Sequence, residues 1–442
     1  MFRAILIILF FLQAVFCAAE DISFFKARRA ALMDQLEGSV AVLRGAPATR
    51  DYTNFRQDNN FYYLTGVETP DAMLLMDGAR KSSVLFLPPR DEKAEKWDGP
   101  GLVPGSDARI VTGMDAVLEL SQFEEELEKH KTTSKILYVL RSPQEIAATS
   151  RDRAKQYNSA RRQDAWDGRI SREAAFEKHL QEKLGPSVQF KDLSPILDEM
   201  RRVKDAQEID RLREAGRISA LGLKEAIRSA KPGMYEYQIA ALATFVFYWN
   251  GASGPAFFPI VGSGPNSCLL HYSLNRRKMV SGDIVVMDFG ADYEYYVSDI
   301  TRTFPVSGKF SEDQAKVYRI VLEAQVAALD KIRPGATFGT LEEAIREVFG
   351  RVGYNKYISH AVGHYVGMSV HDVGKPAPFE AGTVIAVEPG IYMPEKNLGI
   401  RIEDTVLVTK DGYEILTGEA PKEISEIEKL MSRKGLAEAI KD

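Results

Sequence analysis

Apolar residues recur along the chain in two rhythms, short unbroken runs and helical spacings, and their alternation organises the first half. Runs at Val40–Leu43, Phe61–Thr65, Ala72–Met76, Val84–Leu87 and Ile136–Leu140 predict strands, whereas Val117–Lys129 spaces its apolar residues as a helix does. Strands alternating with helices predict an α/β domain. From Arg151 to Lys183 the chain is charged and helix-prone. Acidic residues are interspersed throughout, so the segment reads as a surface helical stretch and not as a basic binding patch. A helix is predicted over 206–228, with Asp205 as N-cap, Glu208 three residues on, and Ile209, Leu212, Gly216, Ala220, Leu223 and Ile227 along one face. A second domain is predicted to begin there. Beyond it, β-prone stretches at Ile284–Met287, Ala386–Val387, Ile400–Ile402 and Val406–Val408 alternate with helical patterns at Asp313–Lys331 and Thr340–Phe349. No short repeat or low-complexity tract is visible.

One apolar run fits neither rhythm. It extends from Ala4 to Leu12 and on through Phe16, behind a basic start at Arg3. Such a run is too short to span a bilayer comfortably, and Cys17 and Ala19 occupy the small-residue positions a signal peptidase needs, so residues 1–19 read as a secretory signal peptide. The protein is therefore expected to be exported, periplasmic or secreted, with no stable membrane anchor after cleavage. Losing Arg3 moves the formal net charge from −5 to −6. Without clustered Lys and Arg there is no footprint for nucleic acid. Once Cys17 is removed only Cys268 remains, which reads as a small buried residue, and no intrachain disulfide can form. An exported chain without disulfides must stand on its core or on bound metal. The expected organisation is a signal peptide at 1–19, an amino-terminal α/β domain at 20–204 and a second domain at 205–442.

The second domain carries carboxylates in unusual places. In "VVMDFGADYEYYVSDITRTF" (residues 285–304), Asp288 ends an apolar run and Asp299 lies inside a β-prone stretch. A hairpin centred between Tyr293 and Glu294 would place the two directly opposite each other. Directly opposite Cβ atoms lie about 4.5–5.5 Å apart, where like charges repel, so something positive is expected between them. In "VIAVEPGIYMPEKNLGIRIEDTVLV", Glu388 and Glu403 would pair in the same way across a loop centred between Glu395 and Lys396. Two carboxylate pairs arranged alike suggest one shared site.

Four of the six histidines, His271, His360, His364 and His371, fall in this domain, the last three within "HAVGHYVGMSVHDVG". His360 and His364 have the spacing of helical zinc ligands, but no Glu lies between them, and Gly363 and Gly367 disfavour a helix. A helical metalloprotease motif is therefore rejected. Taken singly, each Asp passes for a turn residue and each His for a hydrogen-bonded core residue. Together they point to a site.

The segments "SCLLHYSLNRRKMVSGDIVVMDFGADYEYYVSDITRTFPVSGKF", "SHAVGHYVGMSVHDVG" and "AVEPGIYMPEKNLGIRIEDTVLVT" closely resemble the aminopeptidase P and prolidase family, dinuclear metallopeptidases with an α+β pita-bread catalytic domain. Upstream, "FRQDNNFYYLTGVETPDAMLLM" resembles the amino-terminal domain of aminopeptidase P, and "DEMRRVKDAQEIDRLREAG" its domain junction. The resemblance implies that Asp288, Asp299, His364, Glu388 and Glu403 are metal ligands. Four carboxylates and one imidazole form an oxygen-rich set that suits two divalent ions, Mn2+ before Zn2+ or Co2+. Two such ions hold a bridging water and make it a hydroxide near neutral pH. Glu388 is expected to take a proton from it, His371 to stabilise the oxyanion, His271 and His360 to contact substrate, and Arg401 and Tyr392 to support a bound carboxylate and shuttle protons.

By resemblance the expected partners are peptides with proline second, acted on by a homo-oligomer. Cleavage of the bond before that proline is the leading expectation; the alternatives are a prolidase acting on Xaa-Pro dipeptides, or a pita-bread binding protein without catalysis. The bulk of Tyr295–Ser298, ahead of Asp299, is expected to narrow the site.

Overall fold

The computed structural model describes residues 22–49, 52–130 and 134–440, so the signal peptide expected at 1–19 lies outside the described residues. Two compact units are present. The first comprises the chain up to Ile146 together with Arg151–Asp198, and the second comprises Ala147–Ser150 and everything from Glu199 onward.

The first unit is built on one six-stranded sheet, in the order Ala116–Glu119, Ser82–Leu87, Met73–Asp77, Val40–Arg44, Ile136–Val139, Gln189–Asp192. The strand Val40–Arg44 pairs antiparallel with Met73–Asp77 and parallel with Ile136–Val139, so the sheet is mixed. Helices Phe123–Glu128 and Arg172–Leu184 bring Phe123, Leu127, Leu180 and Leu184 onto Val42, Leu75, Phe86 and Val139, which forms the core of an α/β unit. Four of the five expected strands form here. The fifth, Phe61–Thr65, is helical within Asn59–Thr65, because Asp58 accepts the Phe61 N–H at 3.0 Å as an N-cap and Gly66 closes the other end. Local capping outweighs the β preference of Phe-Tyr-Tyr. The predicted helix at Val117–Lys129 is instead a strand, a 3-10 turn and then a helix.

The second unit presents the sequence helix, helix, hairpin twice. Helices Ala206–Ser229 and Glu236–Trp249 precede strands Ile260–Ser263, Ile284–Phe289 and Ile300–Pro305; helices Glu312–Leu329 and Phe338–Arg351 precede Val384–Val387, Gly390–Met393, Leu398–Arg401 and Asp404–Val408. Asp205 and Glu208 cap the first helix reciprocally, as the sequence predicts. Leu223, Ile227 and Phe247 of the first pair, and Val321, Ile345 and Phe349 of the second, share one apolar cluster with Met287, Phe289, Phe304, Val387 and Ile402 from the strands. This is the α+β arrangement expected of the second domain, with both helix pairs packed on the strands of the hairpins.

Candidate metal centre

Asp288 and Asp299 belong to one hairpin, in a register displaced from the expected one. The ladder pairs Thr301 with Asp288 and Ile300 with Phe289, and nearer the tip it pairs Asp292 with Val297 and Tyr293 with Tyr296. The turn is the two residues Glu294 and Tyr295, both at left-handed φ, 47° and 72°. Turns with two such residues match the twist of antiparallel strands and normally draw Asn-Gly, which is why this one is hidden in the sequence. Asp299 consequently faces Gly290, where a Cβ would lie 1.6 Å from the Ser298 carbonyl oxygen. Glycine is the residue that tolerates that approach. Because the displacement is two residues, both aspartates stay on one face of the hairpin, as diagonal instead of direct neighbours.

The second hairpin keeps the expected register. Val387 pairs with Asp404 and Gly390 with Arg401, which sets Glu388 across from Glu403. The two hairpins meet where Thr301 bridges to Glu403: Glu403 N–H donates to Thr301 O at 3.0 Å and the Thr301 hydroxyl donates to Glu403 Oε2 at 2.6 Å. Thr301 also accepts from Arg401 Nε at 3.0 Å, while Arg401 Nη2 forms an ion pair with Asp288. No sequence motif marks Thr301. Its signal is the period-two alternation Asp299, Thr301, Thr303 along one strand face.

The segment bearing His360 and His364 is irregular, as its glycines predict. A Cβ on Gly363 would meet the Ala386 carbonyl oxygen at 2.1 Å, so the chain runs against the Val384–Val387 strand and delivers His364 beside it. His364 Nδ1 lies 3.1 Å from the Tyr365 carbonyl, which must accept, so the proton is on Nδ1 and the Nε2 lone pair looks inward. That nitrogen is 3.6 Å from both Asp299 Oδ2 and Glu388 Oε1. Donor atoms of Asp299, His364 and Glu403 all fall within 4.8 Å of one another. His360 is fixed likewise, Nδ1 to the Ala361 carbonyl at 2.7 Å and Nε2 to the Tyr392 hydroxyl at 2.8 Å, and Tyr392 in turn accepts from Arg401 Nη1 at 2.9 Å.

His371 is exposed, with its ring 4.0 Å from that of His364. Its neighbour Asp372 is clamped by Arg201 at 2.6 Å and Lys204 at 3.1 Å, all three side chains buried. His271 sits at an exposed position near the His360 and His364 rings, close enough to act on both electrostatically. Tyr296, expected to narrow the site, is packed against the helix Ala206–Ser229 and its hydroxyl donates to Glu208 at 3.1 Å. Cys268 is half-buried, where the sequence suggests a buried residue, and among the described residues it is not grouped with Asp299, His364 and Glu403.

The electrostatics suit a cation. Burial, and then the neighbouring carboxylates, hold Asp299 and Glu403 well above the ordinary carboxyl range, and burial pushes Glu388 up to about 8. Burial, followed by Arg401, lowers His360 to about 4, and burial lowers His364 to about 4. Asp288 Oδ1 and Asp299 Oδ1 are buried with no hydrogen-bond partner. The inward imidazole nitrogen of His364 and these two carboxylate oxygens thus present lone pairs without a donor among the described residues. Hard oxygen donors with one imidazole suit a divalent ion, which satisfies every one of them at once.

Residues 210–410 match metallopeptidase family M24, and residues 25–138 match the aminopeptidase P amino-terminal domain. Along its length the chain is 34% identical to the Xaa-Pro aminopeptidase of Escherichia coli, covering 92% of this chain and 97% of that protein. The chain belongs to metallopeptidase family M24.

Within the family, the likeness extends to structure. Aminopeptidase P from Escherichia coli, solved with the inhibitor Pro-Leu, superposes with a TM-score of 0.78 at 32% identity, covering 93% of this chain and 98% of that one. The Xaa-Pro dipeptidase of Pyrococcus horikoshii is 38% identical, but over 52% of this chain and 66% of its own length. This M24 chain thus has the two-part fold its sequence resembles, an aminopeptidase P amino-terminal domain ahead of a pita-bread domain.

Proposed function

We propose that the protein is an Xaa-Pro aminopeptidase, which hydrolyses the bond between an amino-terminal residue and a following proline. The observation that carries the reading is the convergence of Asp288, Asp299, His364, Glu388 and Glu403 from two hairpins and a loop onto one unbalanced cluster of donors. These five would hold two divalent ions, for which Mn2+ fits the oxygen-rich set. When bound, such a pair supplies a water-derived nucleophile near neutral pH and polarises a carbonyl.

The remaining residues have distinct parts. Glu388, with Oε2 3.5 Å from His360 Nδ1, receives the proton of the attacking water. His371, over the His364 ring, donates to the oxyanion as the carbonyl becomes tetrahedral. His271 and His360 contact the peptide, and Arg401 holds Asp288 while Tyr392 links Arg401 to His360. An Xaa-Pro bond is a tertiary amide without an N–H, so a site that grips carbonyl and terminus accepts it where strand-reading peptidases do not.

Aminopeptidase P is preferred over prolidase because the likeness runs through both units, whereas the dipeptidase relative matches about half of the chain. Export after cleavage behind Ala19 and assembly into a homo-oligomer complete the reading. No helix among the described residues is long and apolar enough to cross a membrane. Purified protein supplied with Mn2+ should release the first residue from an Xaa-Pro-Yaa tripeptide. Cleavage of an Xaa-Pro dipeptide alone would replace this reading with prolidase, and no cleavage of either would favour the binding-protein alternative.

A further inference from the structure

Strand Ile300–Pro305 turns Thr301 toward the carboxylates and its neighbour Arg302 away from them; Asp404 bears the same relation to Glu403. Arg302 and Asp404 meet at 2.7 Å behind the site, and neither side chain has any exposed surface. All five guanidinium N–H groups are used. Nη1 donates to the carbonyls of Thr301 at 3.0 Å and Glu403 at 2.6 Å; Nη2 donates to Asp404 and, at 3.1 Å, to the Ala420 carbonyl; Nε donates to the Pro421 carbonyl at 3.0 Å. Asp404 is held in turn by Thr417 at 2.8 Å and by Gln325 at 3.0 Å, and the same Gln325 amide reaches the Ile402 carbonyl at 3.3 Å.

One planar fork therefore ties the backbone of the first hairpin to that of the second, at the point where Thr301 and Glu403 bridge. A buried ion pair is weak evidence for stability, since well-packed apolar residues often do as well; its best-attested use is to fix a register. Here the register in question is the spacing of the carboxylates.

We propose that Arg302, with Asp404 as its counter-ion, is a positioning residue that sets the separation of the two carboxylate-bearing hairpins and through it the affinity for metal. The inference rests on the metal centre of the proposed function. Lysine keeps the charge but presents its donors from a single point, so Arg302→Lys loses the fork and little else. Gln325→Met is a milder change that removes one donor each from Asp404 and the Ile402 carbonyl, while Arg302, Thr417 and Lys422 still hold Asp404.

The experiment strips the full-length protein of metal with a chelator and titrates Mn2+ by calorimetry, alongside urea unfolding of the metal-free form. Arg302→Lys should bind Mn2+ at least about tenfold more weakly than the parent, and Gln325→Met about threefold more weakly. Ile345→Ala, which opens a cavity in the core but removes no hydrogen bond of the network, should lower the unfolding midpoint while leaving Mn2+ affinity within about twofold. Should Arg302→Lys lose midpoint but keep its affinity, as Ile345→Ala does, the pair is structural and the proposal is wrong. If Arg302→Lys does not fold, Gln325→Met decides, and unchanged affinity there overturns it equally. A parent that binds no Mn2+ removes the metal-centre reading and this inference together, a result distinguishable from failure of the variants alone.

Discussion

The Tyr392 hydroxyl accepts from Arg401 Nη1 at 2.9 Å and donates to His360 Nε2 at 2.8 Å, so a single phenol joins the cation that grips Asp288 to a histidine at the mouth of the site. Burial pushes that phenol up to about 12, against the pull of Arg401, which keeps it a donor at working pH. Tyr392→Phe removes the link and preserves the ring. A hydrogen bond to a charged group contributes about 1.5–3 kcal/mol, so kcat should fall roughly tenfold to a hundredfold. The unfolding temperature should hardly change, because the ring remains packed. Steady-state kinetics beside a thermal melt checks this, and an unchanged kcat would make Tyr392 a core aromatic only.

The crowding of carboxylates makes an unusual prediction for stability. In metal-free protein, burial and crowding disfavour the ionised forms of Asp299 and Glu403, and replacing Glu403 with Gln removes one of these ionisable groups while retaining an oxygen for the Thr301 hydroxyl. Metal-free Glu403→Gln should therefore melt at or above metal-free parent. Added Mn2+ should raise the melting temperature of the parent and leave the variant nearly unmoved, since only binding to the folded state stabilises it. Turnover should be abolished. A variant that melts well below the metal-free parent would show that Glu403 serves the fold more than the site.

How far the sequence carried these conclusions depends on the residues involved. The second hairpin was legible because its loop, Pro394 to Asn397, is centred where symmetry puts it, and Glu388 meets Glu403. The first hairpin turns through Glu294 and Tyr295, whose left-handed backbone nothing in their chemistry announces, and its register was displaced by two residues. The site is the same in either register because an even displacement preserves the face. Helix Glu236–Trp249 went unpredicted since "YQIAALATFVFYW" is apolar on every side, with Tyr237, Phe245, Tyr248 and Trp249 left exposed, and a pattern without a polar face has no period to detect. Thr301 and Arg302 were invisible for another reason. Their roles arise where two hairpins meet, a contact between residues about a hundred positions apart.

Backbone space gives a severe test of that first hairpin. Gly290 faces Asp299 with the Ser298 carbonyl so near that any side chain forces the strands apart. Gly290→Ala should cost more than about 4 kcal/mol, in the exceptional range for a single substitution, and should abolish Mn2+ binding because Asp288 and Asp299 can no longer converge. Gly412→Ala, at a turn with open space around it, should cost within about 1 kcal/mol and serves as the comparison. Urea unfolding of both variants decides. Equal losses would mean that the close approach at Gly290 is relieved by movement elsewhere.

Acid provides the last test, at Asp372 beside His371. Burial alone would raise this carboxyl, but Arg201 and then Lys204 outweigh it and hold it below the usual range. The sign follows directly. A group whose pKa is depressed on folding contributes stability that is complete above its unfolded value of about 3.9 and is lost as pH falls through the folded value. Asp372→Asn removes the buried charge that Arg201 and Lys204 share, so at pH 7 it should cost about 3–5 kcal/mol. Below about pH 3.9 the parent progressively gives up the same contribution, and the difference between the two proteins should shrink. Urea unfolding at pH 7 and at pH 3 measures both. Because the clamp adjoins His371, the variant should also lose kcat per folded molecule, measured under conditions where it is fully folded, while KM moves little. A gap that stayed constant from pH 7 to pH 3 would assign the cost to packing and remove Asp372 from the support of the oxyanion donor.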